Sequence, residues 1–86
     1  MAKYEVIIAR SAKKQLRDIL LPWKVRIQKA IELLEEDPFL GEKMRGEFQG
    51  TYKIHVWPYR VFYNVQQKAR RIEVTGVRHR GATRYR

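Results

Sequence analysis

Four side chains at alternating positions in the second half of this 86-residue chain have the chemistry to act on a phosphodiester: Lys53, His55, Arg60 and Phe62. They fall in two runs of period two. Tyr52, Ile54 and Val56 alternate with Lys53, His55 and Trp57, and Val61, Tyr63 and Val65 alternate with Arg60, Phe62 and Asn64. Such alternation sends the apolar set to one face of a sheet and the polar set to the other. With Trp57-Pro58 as a two-residue hairpin loop, Val56 pairs with Tyr59, His55 faces Arg60 and Lys53 faces Phe62. In a third run Ile72 and Val74 alternate with Arg71, Glu73 and Thr75, after a turn near Gln67–Arg70. A four-residue loop there predicts Phe62 opposite Thr75 and Arg60 opposite Val77. The terminal segment, with Arg78, His79, Arg80, Arg84 and Tyr85, then emerges beside Arg60.

RNA cleavage needs little more than such a set. The 2′-hydroxyl must sit in line with the phosphorus and lose its proton, the transition state gains negative charge, and the 5′-oxygen must be stabilised as it leaves. Arg and Lys supply charge stabilisation, and Arg holds phosphate by a bidentate fork. His, or a Lys or Tyr with a lowered pKa, moves protons. Aromatic rings stack unpaired bases. No metal ion is required. A plainer reading fits the same residues: an ordinary half-exposed sheet face with one surface aromatic and a basic tail. Composition and spacing leave both open.

The elements that must position this set are legible by pattern. Residues 2–8 read as a strand rich in β-branched and aromatic residues. Ser11 is the expected N-cap of a helix reaching about Leu20, with Ala12, Leu16, Ile19 and Leu20 on one face. Pro22 suits the first turn of a second helix with the stripe Trp23, Ile27, Ala30, Ile31 and Leu34. Asp37-Pro38 is its expected stop, because the residue before proline avoids the helical region. Trp23 and Met44 read as ordinary packing. From Lys43 onward the pattern is strand. The expected fold is α+β, in the order β-α-α-β-β-β-β, with two N-terminal helices packed on one face of a mainly antiparallel sheet. Residues 1–86 are expected to form a single domain.

Charge narrows the partners. The net charge is +10, and it is uneven. Residues 1–47 hold ten basic and eight acidic side chains, whereas residues 48–86 hold nine basic and one acidic, Glu73. A nearly one-signed half suits a polyanion: nucleic acid first, an acidic protein second, an anionic membrane surface a distant third. The chain has no cysteine, which removes disulfides, thiol catalysis and thiolate metal sites. With His55 and His79 as the only histidines, neither a metal site nor another cofactor is expected. No apolar run approaches a membrane span and no signal-peptide pattern opens the chain, so a cytoplasmic protein is expected. A chain this small has little interior to spare for a deep cavity, so any site should be a shallow groove.

The stretch Lys43-Met44-Arg45-Gly46, then Tyr52-Lys53-Ile54-His55-Val56, then Tyr59-Arg60-Val61-Phe62-Tyr63, resembles the RelE toxins of the RelE/ParE superfamily. The ending His79-Arg80 … Tyr85-Arg86 is similar to that family's H-R … Y-R, and the likeness spans essentially the whole chain. The resemblance implies a toxin of a type II toxin–antitoxin pair that enters the ribosomal A site and cuts messenger RNA through 2′-hydroxyl attack. By position it implies Lys53 as base or electrostatic stabiliser, Arg60 as stabiliser of the pentavalent phosphate and Arg80 near the leaving group. Tyr85 would stack on and orient the nucleotide, and Arg45 would line the phosphate groove. Phe62, Arg78, His79 and Arg84 join them as RNA-contacting candidates. His55 stands where the best-studied members carry a second lysine, and an imidazole accepts a proton near neutral pH more readily than an ammonium.

The implied partners are A-site mRNA, an acidic RelB-like antitoxin, and operator DNA only through the antitoxin complex. Two alternatives remain: a ParE-like DNA gyrase inhibitor, which shares the fold and performs no cleavage, and a non-catalytic RNA- or ribosome-binding module.

Overall fold

A computed structural model describes residues 3–44 and 50–80. Its elements are β1 (Glu5–Ile8), α1 (Arg10–Arg17), α2 (Trp23–Leu34), β2 (Glu42–Lys43), β3 (Thr51–Val56), β4 (Tyr59–Gln66) and β5 (Arg71–His79). The order is the expected one, and the strands form one sheet arranged β1-β5-β4-β3-β2. β1 runs parallel to β5, and every other pairing is antiparallel. Chain-adjacent β1 and β2 therefore lie at opposite edges, and the two helices between them cross one face of the sheet.

That face is the core. Ala12, Leu16 and Ile19 from the first helical segment and Ile27, Ile31 and Leu34 from α2 close over Val61, Tyr63, Ile72, Val74 and Val77. Ile27, Ile31 and Leu34 recur at four and three residues, which lines them along a single stripe. No polar or charged side chain is buried among the described residues.

Three local expectations are corrected. Ser11 is not the N-cap: Ala9 takes that place in an extended conformation, and its N–H donates to Val74 O at 2.9 Å. The Ser11 hydroxyl donates instead to Thr75 O at 3.3 Å, so docking on β5 decides where α1 starts. α1 also ends at Arg17 rather than near Leu20. The N–H groups of Asp18 and Ile19 bond to Gln15 O and Leu16 O, tightening the last turn, and Leu20 is left 71% exposed. α2 stops at Leu34, short of Asp37-Pro38, with Glu36 and Asp37 N–H both returning to Leu33 O.

The β3–β4 hairpin has the expected register: Val56 pairs with Tyr59, His55 with Arg60 and Lys53 with Phe62. The β4–β5 pairing begins as expected, from Gln66 with Arg71 to Tyr63 with Val74, and then shifts. Thr75 is an extra residue, so Phe62 pairs with Gly76 and Arg60 with Arg78, not with Thr75 and Val77. Because side chains alternate, an inserted residue exchanges the faces of everything after it. Val77 is thereby sent into the core, 4% exposed, and Arg78 to the open side.

Candidate functional site

The uncovered face collects the polar members of β2 to β5. His55, Arg60 and Arg78 form one row across β3, β4 and β5, and Lys53, Phe62 and Gly76 form the next. Residues directly opposite one another in such rows have Cβ atoms about 4.5–5.5 Å apart. Glu42 pairs with Lys53 at the β2 edge. Its Oε1 lies 4.0 Å from Lys53 Nζ and 3.9 Å from His55 Nε2. Lys53 is the most sheltered of the three, with a side chain 27% exposed against 56% for His55 and 68% for Glu42. Glu42, Lys43, Met44 and Lys53 line a shallow depression at this edge.

The bulge that delivers Arg78 is fastened from both sides. Thr75 Oγ1 donates to Phe62 O at 3.3 Å on β4. From α1, Ser11 bonds Thr75 O, and Gln15 Oε1 accepts from Val77 N at 2.7 Å. One helix thus both covers the core and fixes the register of the strand bearing Arg78.

A second support lies under Lys53. Gly41 N donates to the Tyr63 hydroxyl at 2.9 Å, and a Cβ at Gly41 would stand 2.5 Å from Lys53 O and 2.6 Å from that hydroxyl. Only glycine lets the chain entering β2 pass this close. The Tyr63 ring is fully buried and stacks on Tyr52 at 5.5 Å, which in turn meets Phe39 edge-on at 5.7 Å. Burial pushes the Tyr63 phenol above its ordinary value, and the Gly41 hydrogen bond opposes that rise.

The remaining candidates separate. Arg80 N donates to Pro58 O at 2.8 Å, and its guanidinium lies 4.9 Å from the centre of the Trp57 ring. The end of β5 is so tied to the β3–β4 turn beside the His55 row. His79 departs from the expected cluster: it pairs with Tyr59, and its ring meets Tyr59 edge-on at 5.1 Å on the helix side of the sheet. Arg45, Arg84 and Tyr85 lie outside the described residues. Two neighbours of the site, Glu42 and Trp57, are not among the expected site residues. Glu42 sits on a two-residue strand that leaves no periodic signal. Trp57, 66% exposed, reads as a turn residue, although its place in the Lys53–His55–Trp57 alternation already puts it on the open face.

Chemically the arrangement is a cationic platform with an imidazole, one carboxylate at its edge and exposed aromatic surface. Among the described residues no cluster of His, Asp and Glu could hold a metal ion. No helix there is long and apolar enough to cross a membrane.

Residues 6–83 match the family described as ParE toxin of type II toxin–antitoxin system, parDE. The fold is similar to the toxin–antitoxin complex RelBE2 of Mycobacterium tuberculosis, with TM-score 0.83 and 23% identity over 93% of this chain and 94% of that one. It is similar to a mutant of the Escherichia coli toxin RelE in the free state, with TM-score 0.80 and 26% identity over 96% and 88%. The intact E. coli RelBE toxin–antitoxin complex gives 0.77 and 25% over 86% and 93%. No curated protein matches the chain. With its helices, mixed five-stranded sheet and nearly full-length match all in agreement, the chain belongs to the ParE toxin family, within the RelE/ParE superfamily of type II toxin–antitoxin toxins.

Proposed function

We propose that this toxin is a ribosome-dependent mRNA endoribonuclease, active without a metal ion. The observation that carries the reading is the cross-strand row His55–Arg60–Arg78 beside Lys53. In this reading the 2′-oxygen attacks phosphorus, its proton passes to His55, and the bond from phosphorus to the 5′-oxygen breaks. The products are a 2′,3′-cyclic phosphate and a 5′-hydroxyl, the leaving oxygen drawing its proton from water. Arg60 and Lys53 stabilise the charge growing on the phosphorane oxygens, and Arg78 holds the neighbouring phosphate. Arg80 stands near the leaving oxygen. Phe62 and Trp57 offer surfaces for unpaired bases. Tyr85 is assigned the orientation of the nucleotide, and Arg45, His79 and Arg84 contacts to RNA at the margin.

The face is shallow, and positioning accounts for about 7–11 kcal/mol of such a reaction, so the ribosome is assigned the task of presenting the strand in line. The structural relatives include toxin–antitoxin complexes, and an acidic antitoxin fits the cationic face electrostatically.

A second reading is favoured by the family match itself: a ParE-like inhibitor of DNA gyrase that acts by binding alone. Induced expression followed by mapping of mRNA 5′ ends, with and without translation, separates the two. Translation-dependent new ends within codons support the ribonuclease. Growth arrest with intact messages, accompanied by DNA damage, supports the gyrase reading.

A further inference from the structure

α1 has a face used neither by the core nor by the open side of the sheet. Arg10, Lys13, Lys14 and Arg17 are all exposed and stand at helix positions i, i+3, i+4 and i+7. At 3.6 residues per turn they fall within an arc of about 100°, along about 10 Å of axis. Ala12 and Leu16, buried under the helix, point the other way. The four side chains enclose a shallow depression of their own.

This stripe is only partly suited to its own helix: Lys14 and Arg17 complement the C-terminal end of the dipole, but the rest of the pattern opposes it. α1 contains no carboxylate, and Arg10 occupies the first turn, where an acidic residue would complement the helix dipole. Arg10–Lys13, Arg10–Lys14, Lys13–Arg17 and Lys14–Arg17 are like-charge pairs at three or four residues, each destabilising. Among the described residues no carboxylate lies within ion-pair distance of any of the four; the pairs that form involve Lys3, Lys53, His55 and Arg71. Within the stripe there is also no aromatic ring. The rings near the cationic row, half-buried Phe62 and exposed Trp57, belong to the β3–β4 hairpin. A single strand bound by such a helix would gain no stacking, whereas double-stranded RNA is held mainly through its backbone and shape.

We infer that the α1 stripe docks on the phosphate backbone of double-stranded RNA. Resting on the ribosomal reading proposed above, this gives the toxin two RNA contacts on opposite sides of the sheet. The open face takes the message, and the α1 stripe braces against structured RNA behind it.

The test uses the full chain carrying Arg60→Ala, which keeps RNA intact, with and without Lys13→Gln, Lys14→Gln and Arg17→Gln together. The probes are an RNA duplex of about 16 base pairs and an unstructured single strand of the same length, titrated over a salt series. The triple substitution should make the log–log salt slope for the duplex shallower by about 2–3, or roughly 15- to 60-fold less loss of affinity across a fourfold rise in salt. The slope for the single strand should change much less. The melting temperature should change little, because loss of the four repulsive pairs offsets loss of the favourable Lys14 and Arg17 charges at the helix C-terminus. An unchanged duplex slope overturns the inference, as does an equal change on the single strand. So does a variant whose only loss is affinity for an acidic protein. Duplex binding that responds as expected in a toxin that cuts no message sustains this inference and removes the ribonuclease reading instead.

Discussion

The two faces of β3, β4 and β5 are made by neighbouring residues and obey opposite rules. Val61 is fully buried under the helices, and Arg60 beside it points to solvent with His55 and Arg78. One face is apolar, fully packed and indifferent to charge. The other buries little and carries the cations. What the contrast teaches is that a period-two strand lets stability and chemistry be assigned to alternate residues, so substitutions on one face should leave the other's property intact.

The largest expected effects test that separation directly. Arg60→Ala should cost about 2.7–4 kcal/mol of transition-state stabilisation, roughly 100- to 1000-fold in cleavage rate, with an unchanged melting curve. Ile72→Ala, in the core, should do the reverse: about 2–5 kcal/mol less stable, with cleavage intact under conditions where it remains folded. Rates from ribosome-programmed cleavage and urea midpoints measure the two. A folded Arg60→Ala protein that cuts at the parental rate ends the catalytic assignment.

Gly41→Ala should break the rule, because Gly41 serves both faces. Its new Cβ would press on Lys53 O and the Tyr63 hydroxyl, an overpacking worth about 1–3 kcal/mol, while shifting Lys53 and Glu42. Stability and cleavage should fall together. Cleavage retained at full rate would show that the Lys53 backbone position is not critical.

Gln15→Ala should also couple the faces, through the bulge. Losing the acceptor leaves Val77 N unsatisfied at about 1–3 kcal/mol and frees the register that sends Arg78 outward. Gln15→Glu keeps an acceptor oxygen and should recover most of both losses. Equal behaviour of the two variants would show that the hydrogen bond does not hold the bulge.

The smallest effect is alkaline. The folded state holds the Tyr63 phenol protonated beyond its unfolded value of about 10. Its contribution is complete below that pH and is lost as pH rises from about 10 towards the higher folded value. Tyr63→Phe should flatten this limb in urea midpoints measured from pH 8 upward, and an unchanged limb would move the cause to another group.

How much of this could be read in the sequence follows from how far each signal reaches along the chain. The β3–β4 register was legible because Trp57-Pro58 alone sets it, and with it the places of Lys53, His55, Arg60 and Phe62. The apolar stripes of α1 and α2 were legible for the same local reason. The extra residue at Thr75 was not, because the bonds that stabilise it come from Ser11 and Gln15, far away in the chain. Reading Ser11 as a cap failed through the same contact. Arg78 was therefore expected near Arg60 but not directly opposite it, and Glu42 was invisible on a strand too short to show a period.

The parallel pairing of β1 with β5 has a consequence in time. β1 is made before the other described strands, yet its hydrogen-bonding partner is the last of them, with Glu5 opposite Arg71. Contacts of such high sequence separation form late and slowly. The row that places Arg78 beside Arg60 has to wait for the same strand. A nascent or prematurely terminated chain lacking β5 thus has neither a closed sheet nor a complete cationic row. The cationic row of this toxin is therefore complete only once β5 has been made and has paired with both β1 and β4.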